Sequence, residues 1–129
     1  MEQSQQMKVL MVDDDQFLIS LYKKKGETAG IELATALSGQ EALDILKGGF
    51  LPDIIALDVT MAGMSGIEVL KYIRANNLAP SAKVVILSNT ADESVMNDAK
   101  TLGADKFIFK ASLLPSQVFD ELMAIVRKV

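Results

Sequence analysis

The chain contains neither histidine nor cysteine, so any chemistry it performs rests on carboxylates, lysines and hydroxyls. That removes the usual neutral-pH general base, the thiolate nucleophile, the disulfide frame and the thiolate zinc site together. Asp13-Asp14-Asp15 follows directly on an apolar run at 9–12, and Asp58 follows directly on another at 54–57. Two further runs end in complementary groups, 84–87 in the hydroxyl of Ser88 and 107–109 in the ammonium of Lys110. If these runs are neighbouring strands, all of these side chains meet at one edge. Carboxylates about 4 Å apart repel by ~4 kcal/mol at an effective dielectric near 20, so the cluster requires protonation or a cation. Oxygen-only ligation with few protein groups suits Mg²⁺, which favours phosphate as the other partner. Acids for a metal, one acid left as nucleophile, a lysine against phosphoryl oxygens and a hydroxyl to bond one of them make a set for phosphoryl transfer.

The elements that must position these groups are legible as well. Five apolar runs, at 9–12, 33–36, 54–57, 84–87 and 107–109, are mostly continuous rather than alternating, which suits strands covered on both faces. The segments between them are long enough for crossover helices. Three begin with the S/T-x-x-E pattern of a capping box: Ser38-Gly39-Gln40-Glu41, Ser65-Gly66-Ile67-Glu68 and Thr90-Ala91-Asp92-Glu93. Pro115 suits a first helical turn, after which Val118, Leu122, Ile125 and Val129 fall on one face. The first helix carries Phe17, Leu18 and Leu21 and ends at Gly26 or runs to Thr28, since an internal glycine costs ~1 kcal/mol. The expectation is a single-domain α/β fold, a doubly wound five-stranded parallel sheet with five helices. Ligands bind such sheets outside the carboxyl ends of the strands.

At 129 residues, half of them hydrophobic and 23% charged, the composition is that of one globular domain. Thirteen Lys and Arg against 17 Asp and Glu give a net charge of -4, which supplies no basic field for direct nucleic-acid or membrane contact. Residues 1–6 are polar, without the positive-then-apolar start of a secretion signal, and are expected to be a disordered tail before a domain at 7–129. No apolar run approaches the ~18 residues of a membrane span, and the expected location is cytoplasmic.

Taken in order and at their spacing, several stretches resemble the receiver domain of two-component response regulators, of the CheY-like kind. They are Asp13-Asp14 after its strand, Ala36-Leu37-Ser38-Gly39-Gln40-Glu41-Ala42-Leu43, Pro52-Asp53-Ile54-Ile55-Ala56-Leu57-Asp58, Met61-Ala62-Gly63-Met64-Ser65-Gly66, Ser88, and Gly103-Ala104-Asp105-Lys106-Phe107-Ile108-Phe109-Lys110. The resemblance implies a flavodoxin-like strand order 2-1-3-4-5. It makes Asp58 the phosphoacceptor, Asp14 a direct Mg²⁺ ligand and Asp13 a ligand through water, with Asp58 and the backbone carbonyl of Thr60 completing the metal shell. Lys110 would pair with the phosphoryl group, Ser88 would swing toward it, and Phe107 would turn inward behind Ser88. The resemblance further implies a histidine kinase or phosphotransfer protein as donor, and a downstream protein that reads helix four, strand five and helix five, at 92–102 and 115–128. The chain would then be no enzyme in the ordinary sense, but a switch that assists its own phosphorylation and dephosphorylation at a rate tuned by Thr60, Asn89 and Thr90.

The sequence departs from that pattern at four places. Ala62 and Ala111 stand where receivers usually carry Pro. The family's Lys-Pro bond is typically cis, and because a cis bond before Ala costs ~2.5 to 4 kcal/mol, a trans Lys110–Ala111 bond with a displaced Lys110 is expected. Ser65 replaces a frequent Asp yet still suits an N-cap. Asn89, in place of Ala or Gly, would crowd the acceptor or bond across it. Asn89 and Ala111 motivate a rival reading, a pseudo-receiver that docks proteins without taking phosphate. A second rival is a haloacid-dehalogenase-like phosphatase using Asp13 and Asp15 as nucleophile and acid. Met61 and Met64 read as gap-filling side chains near the loop.

Overall fold

The computed structural model describes residues 6–89, 92–110 and 113–127. The five apolar runs become β1 Lys8–Val12, β2 Glu32–Ala36, β3 Ile54–Asp58, β4 Lys83–Ser88 and β5 Lys106–Phe109. Between and after them lie α1 Gln16–Ala29, α2 Gly39–Lys47, α3 Gly66–Ala75, α4 Glu93–Thr101 and α5 Pro115–Arg127. The strands form one parallel sheet in the order β2-β1-β3-β4-β5. Among the described residues no helix is long and apolar enough to cross a membrane.

Continuous apolar runs are explained by burial on both faces. On one face Val9, Met11, Ile54, Ala56, Val85 and Leu87 meet Ile19 and Tyr22 of α1 and Val118, Phe119 and Leu122 of α5. On the other, Leu10, Val12, Ile55, Leu57, Val84 and Ile86 meet Leu43 and Leu46 of α2, Leu70 and Ile73 of α3 and Ala99 of α4. β3 is therefore buried along its whole length and β1 and β4 beyond their first residues, while the edge strands β2 and β5 are only partly covered.

Local signals set the helix starts with two corrections. Ser65 and Glu68 form a complete capping box, with N–H to oxygen distances of 3.2 and 2.9 Å. Ser38 accepts from the Glu41 N–H at 3.1 Å, but the Glu41 carboxylate reaches one residue further back, to the Leu37 N–H. Helix α4 starts from Asp92 instead of the Thr90 device: the Asp92 carboxylate accepts from the Ser94 N–H at 2.9 Å, so a nearer side chain caps the helix. Thr90 and Ala91 lie outside the described residues. Helix α1 passes Gly26 and ends at Gly30, whose φ of 72° is left-handed. A Cβ at Gly26 would come 3.3 Å from the Leu33 side chain. Close packing of α1 on β2 thus outweighs the helix penalty of glycine.

Candidate functional site

Parallel register brings the chemistry-bearing residues to one edge. Val12 pairs with Leu57, so the next residues, Asp13 and Asp58, are level; Asp58 pairs with Leu87, and Ser88 with Phe109, which Lys110 follows. Asp13, Asp58 and Ser88 are the buried polar side chains of the described residues, at 1%, 5% and 0% exposure, while Asp14 stays exposed at the rim. One oxygen from each of Asp13, Asp14 and Asp58 lies within 4.8 Å of the others.

Lys110 joins this cluster. Its Nζ lies 2.7 Å from Asp13 Oδ2 and 3.5 Å from Asp58 Oδ1. Burial opposes its charge, but the hydrogen bond to Asp13 and the charges of Asp58 and Asp13 overcome that and raise its pKa. Asp58 is pushed up to about 6, first by burial; the Lys110 charge pulls down, the Asp13 charge pushes up, and bonds from Lys110 and the Thr60 backbone N–H offset only part of the rise. Burial, with the charges of Asp13, Asp58 and Asp15, also raises the phenol of Tyr22, a fully buried α1 residue.

Three carboxylates against one ammonium leave excess negative charge among hard oxygen donors, and this donor set fits Mg²⁺. The acids are also oriented by backbone. Asp13 Oδ1 accepts from the Asp15 N–H at 3.0 Å, and Asp14 Oδ2 accepts from the Ala62 N–H at 3.2 Å. Asp15 itself is exposed and caps α1 through the Leu18 N–H at 3.1 Å. The Asp13-x-Asp15 pair of the phosphatase reading is therefore split between the cluster and a helix end.

The remaining expected residues surround this centre. Ser88 ends β4 fully buried, exposed Asn89 follows it, and exposed Thr60 follows β3 by two positions. Phe107 is half-buried on β5, level with Ile86, and packs toward the α2–α4 side of the sheet, outside the acid cluster. Thr90 and Ala111, with the Lys110–Ala111 bond, lie outside the described residues. Met61 is buried in the core and Met64 packs against it, as gap-fillers would. Sequence reasoning missed the role of Gly66: a Cβ there would sit 2.3 Å from the Asp58 carbonyl oxygen, so α3 approaches the acceptor strand only because the residue is glycine.

Comparison with known proteins agrees with this geometry. The family model of the response regulator receiver domain matches residues 9–122. The chain is 35% identical over 116 residues to the chemotaxis protein CheY of Thermotoga maritima, across 89% of this chain and 93% of that protein. A CheY-like receiver domain protein from Methanospirillum hungatei shares the fold with a TM-score of 0.86, at 22% identity over 96% of each chain. The CheY of a CheX-CheY-BeF3-Mg complex from Borrelia burgdorferi matches with a TM-score of 0.80 and 30% identity, over 93% of this chain and 89% of that one.

Proposed function

The chain belongs to the response regulator receiver domain family, a component of two-component signalling, and from that membership and the acid cluster we propose that Asp58 accepts a phosphoryl group. The donor is a histidine kinase or phosphotransfer protein. The observation that carries the reading is the convergence of Asp13, Asp14 and Asp58 within 4.8 Å, with Lys110 beside two of them. Asp13, Asp14 and Asp58, with the Thr60 carbonyl, are the groups that would hold Mg²⁺. When bound, the ion supplies charge neutralisation for the acids and for the incoming phosphoryl oxygens.

The chain's own residues do the rest. An Asp58 oxygen forms the new O–P bond while the donor's N–P bond breaks, and the electron pair leaves on the imidazole nitrogen, which takes up a proton. With a pKa of about 6, Asp58 is mostly ionised at neutral pH and available as nucleophile. The Lys110 ammonium turns from the carboxylates to the phosphoryl oxygens and offsets their charge. The Ser88 hydroxyl bonds one of those oxygens, Phe107 follows it toward the sheet, and the face of α4, β5 and α5 that a downstream protein reads is altered. Thr60 and Asn89 flank the acceptor and tune how fast the group is lost. The chain acts as a self-assisting phosphoacceptor with no separate substrate to turn over. The Borrelia complex holds CheY together with BeF3, Mg and CheX, which supports a phosphate-like group, a metal and a protein partner in this reading.

The test is to incubate the protein with acetyl phosphate and Mg²⁺ and weigh it intact. The native chain is expected to gain one phosphoryl group and Asp58→Asn none. A native mass unchanged under conditions that label another receiver overturns the reading and leaves the protein-docking module.

A further inference from the structure

The connection from β3 to α3 is held at three points. Its base is closed by the Gly66 N–H on the Val59 carbonyl at 3.0 Å, and its middle is anchored by Met61 in the core. Gly63, with a φ of 78°, turns the chain directly after Ala62. From this braced loop two backbone N–H groups reach two different acids, that of Thr60 to Asp58 and that of Ala62 to Asp14 at 3.2 Å. Asp14 needs such support more than its neighbours do. It is the exposed member of the cluster, and among the described residues it makes no ion pair, whereas Asp13 and Asp58 are buried against Lys110.

We infer that the Ala62 backbone N–H is a positioning group for the divalent cation, holding the Asp14 carboxylate in the arrangement that keeps one of its oxygens within 4.8 Å of Asp13 and Asp58. The inference rests on the Mg²⁺ reading above and adds a residue to it. An exposed aspartate samples several side-chain orientations, and a hydrogen bond from a fixed amide removes that freedom before the ion arrives. Partners of this kind behind a metal ligand shift affinity by about 10- to 100-fold. The side chain at 62 plays no part; only the N–H does. Proline, which receivers usually carry here, has no N–H, so the contact is particular to this chain: Ala62→Pro deletes it and Ala62→Gly retains it.

The experiment is a calorimetric Mg²⁺ titration of the native protein, Ala62→Gly, Ala62→Pro and an amide-to-ester replacement at position 62. The ester deletes the same N–H without the proline ring and covers the case in which Ala62→Pro disturbs the loop. The native and glycine proteins are expected to bind alike, and the proline and ester proteins about tenfold more weakly. In an Asp14→Ala background, which leaves the Ala62 N–H no side-chain acceptor at position 14, the ester is expected to cause no further loss, since the two changes remove one interaction. Unchanged Mg²⁺ affinity in the ester protein, or an equal loss in the Asp14→Ala background, overturns the inference while leaving the Mg²⁺ reading intact. A native protein that binds no Mg²⁺ overturns both.

Discussion

Asp13 and Asp58 stand on strand residues 9–12 and 54–57, every one of which is at 0% exposure. On the flank formed by α4 and β5, by contrast, Ala99 is the buried residue of a nine-residue helix and Ile108 that of a four-residue strand. Phe107 and Met96 there line a groove of about 330 Å³. The first region is a template: the two buried acids of the cluster are carried by the part of the sheet with least freedom to move. The second region can repack at small cost, because few of its contacts are buried, and under the proposed function it is where a change of state at Asp58 would find expression. The flank is not loose throughout. Arg74 of α3 donates from Nε to the Leu102 carbonyl at 2.8 Å and from Nη2 to the Gly103 carbonyl at 3.1 Å, pinning the carboxyl end of α4.

The contrast is open to direct attack by substitution. Leu57→Ala, beneath the acceptor, is expected to cost about 3 kcal/mol in urea unfolding, and Met96→Ala, 38% exposed on the flank, less than about 1 kcal/mol. Equal losses would erase the distinction. Next in size is the acceptor's own charge. Asp58 ionises near 3.8 when unfolded and about 6 when folded, so between those values the folded state keeps a proton that the unfolded chain has lost. Its contribution to stability is complete below about pH 4 and declines as pH rises through about 6. In metal-free buffer Asp58→Asn should lack this decline and be more stable than the native chain by up to about 3 kcal/mol at pH 7. Urea midpoints across pH check it. A further change is Arg74→Ala, expected to cost about 1 kcal/mol and to speed amide exchange at the carboxyl end of α4 while leaving β1 and β3 protected.

The same contrast governs what could be read from the sequence. Strands buried on both faces announce themselves as unbroken apolar runs, and their ends place Asp13, Asp58, Ser88 and Lys110 by register alone. The Ser65–Glu68 box is equally local and came through whole. What escaped depends on groups without a sequence signature. Any residue but proline has an N–H, so nothing marks Ala62 as the one that reaches Asp14, and nothing marks Arg74 as a clasp on α4. Gly26 stood beside Thr28 as a possible helix end because its partner, Leu33, lies across a turn on another element. At α4 two N-cap patterns overlap in the sequence; the Asp92 carboxylate, adjacent to the helix, caps it, and Thr90 lies outside the described residues. The middle of the Asp13-Asp14-Asp15 run shows the limit well: three identical side chains in sequence become a buried ion-pair partner, an exposed rim acid and a helix cap.

The central claim is that the phosphoryl group goes to one acid of the cluster, and chemical trapping reads this out directly. After acetyl phosphate and Mg²⁺, borohydride reduces an aspartyl phosphate to homoserine, and peptide mapping reports its position. Homoserine at position 58 alone is the predicted result; homoserine at 13 or 14, or none in a chain that has gained the mass of a phosphoryl group, would contradict it.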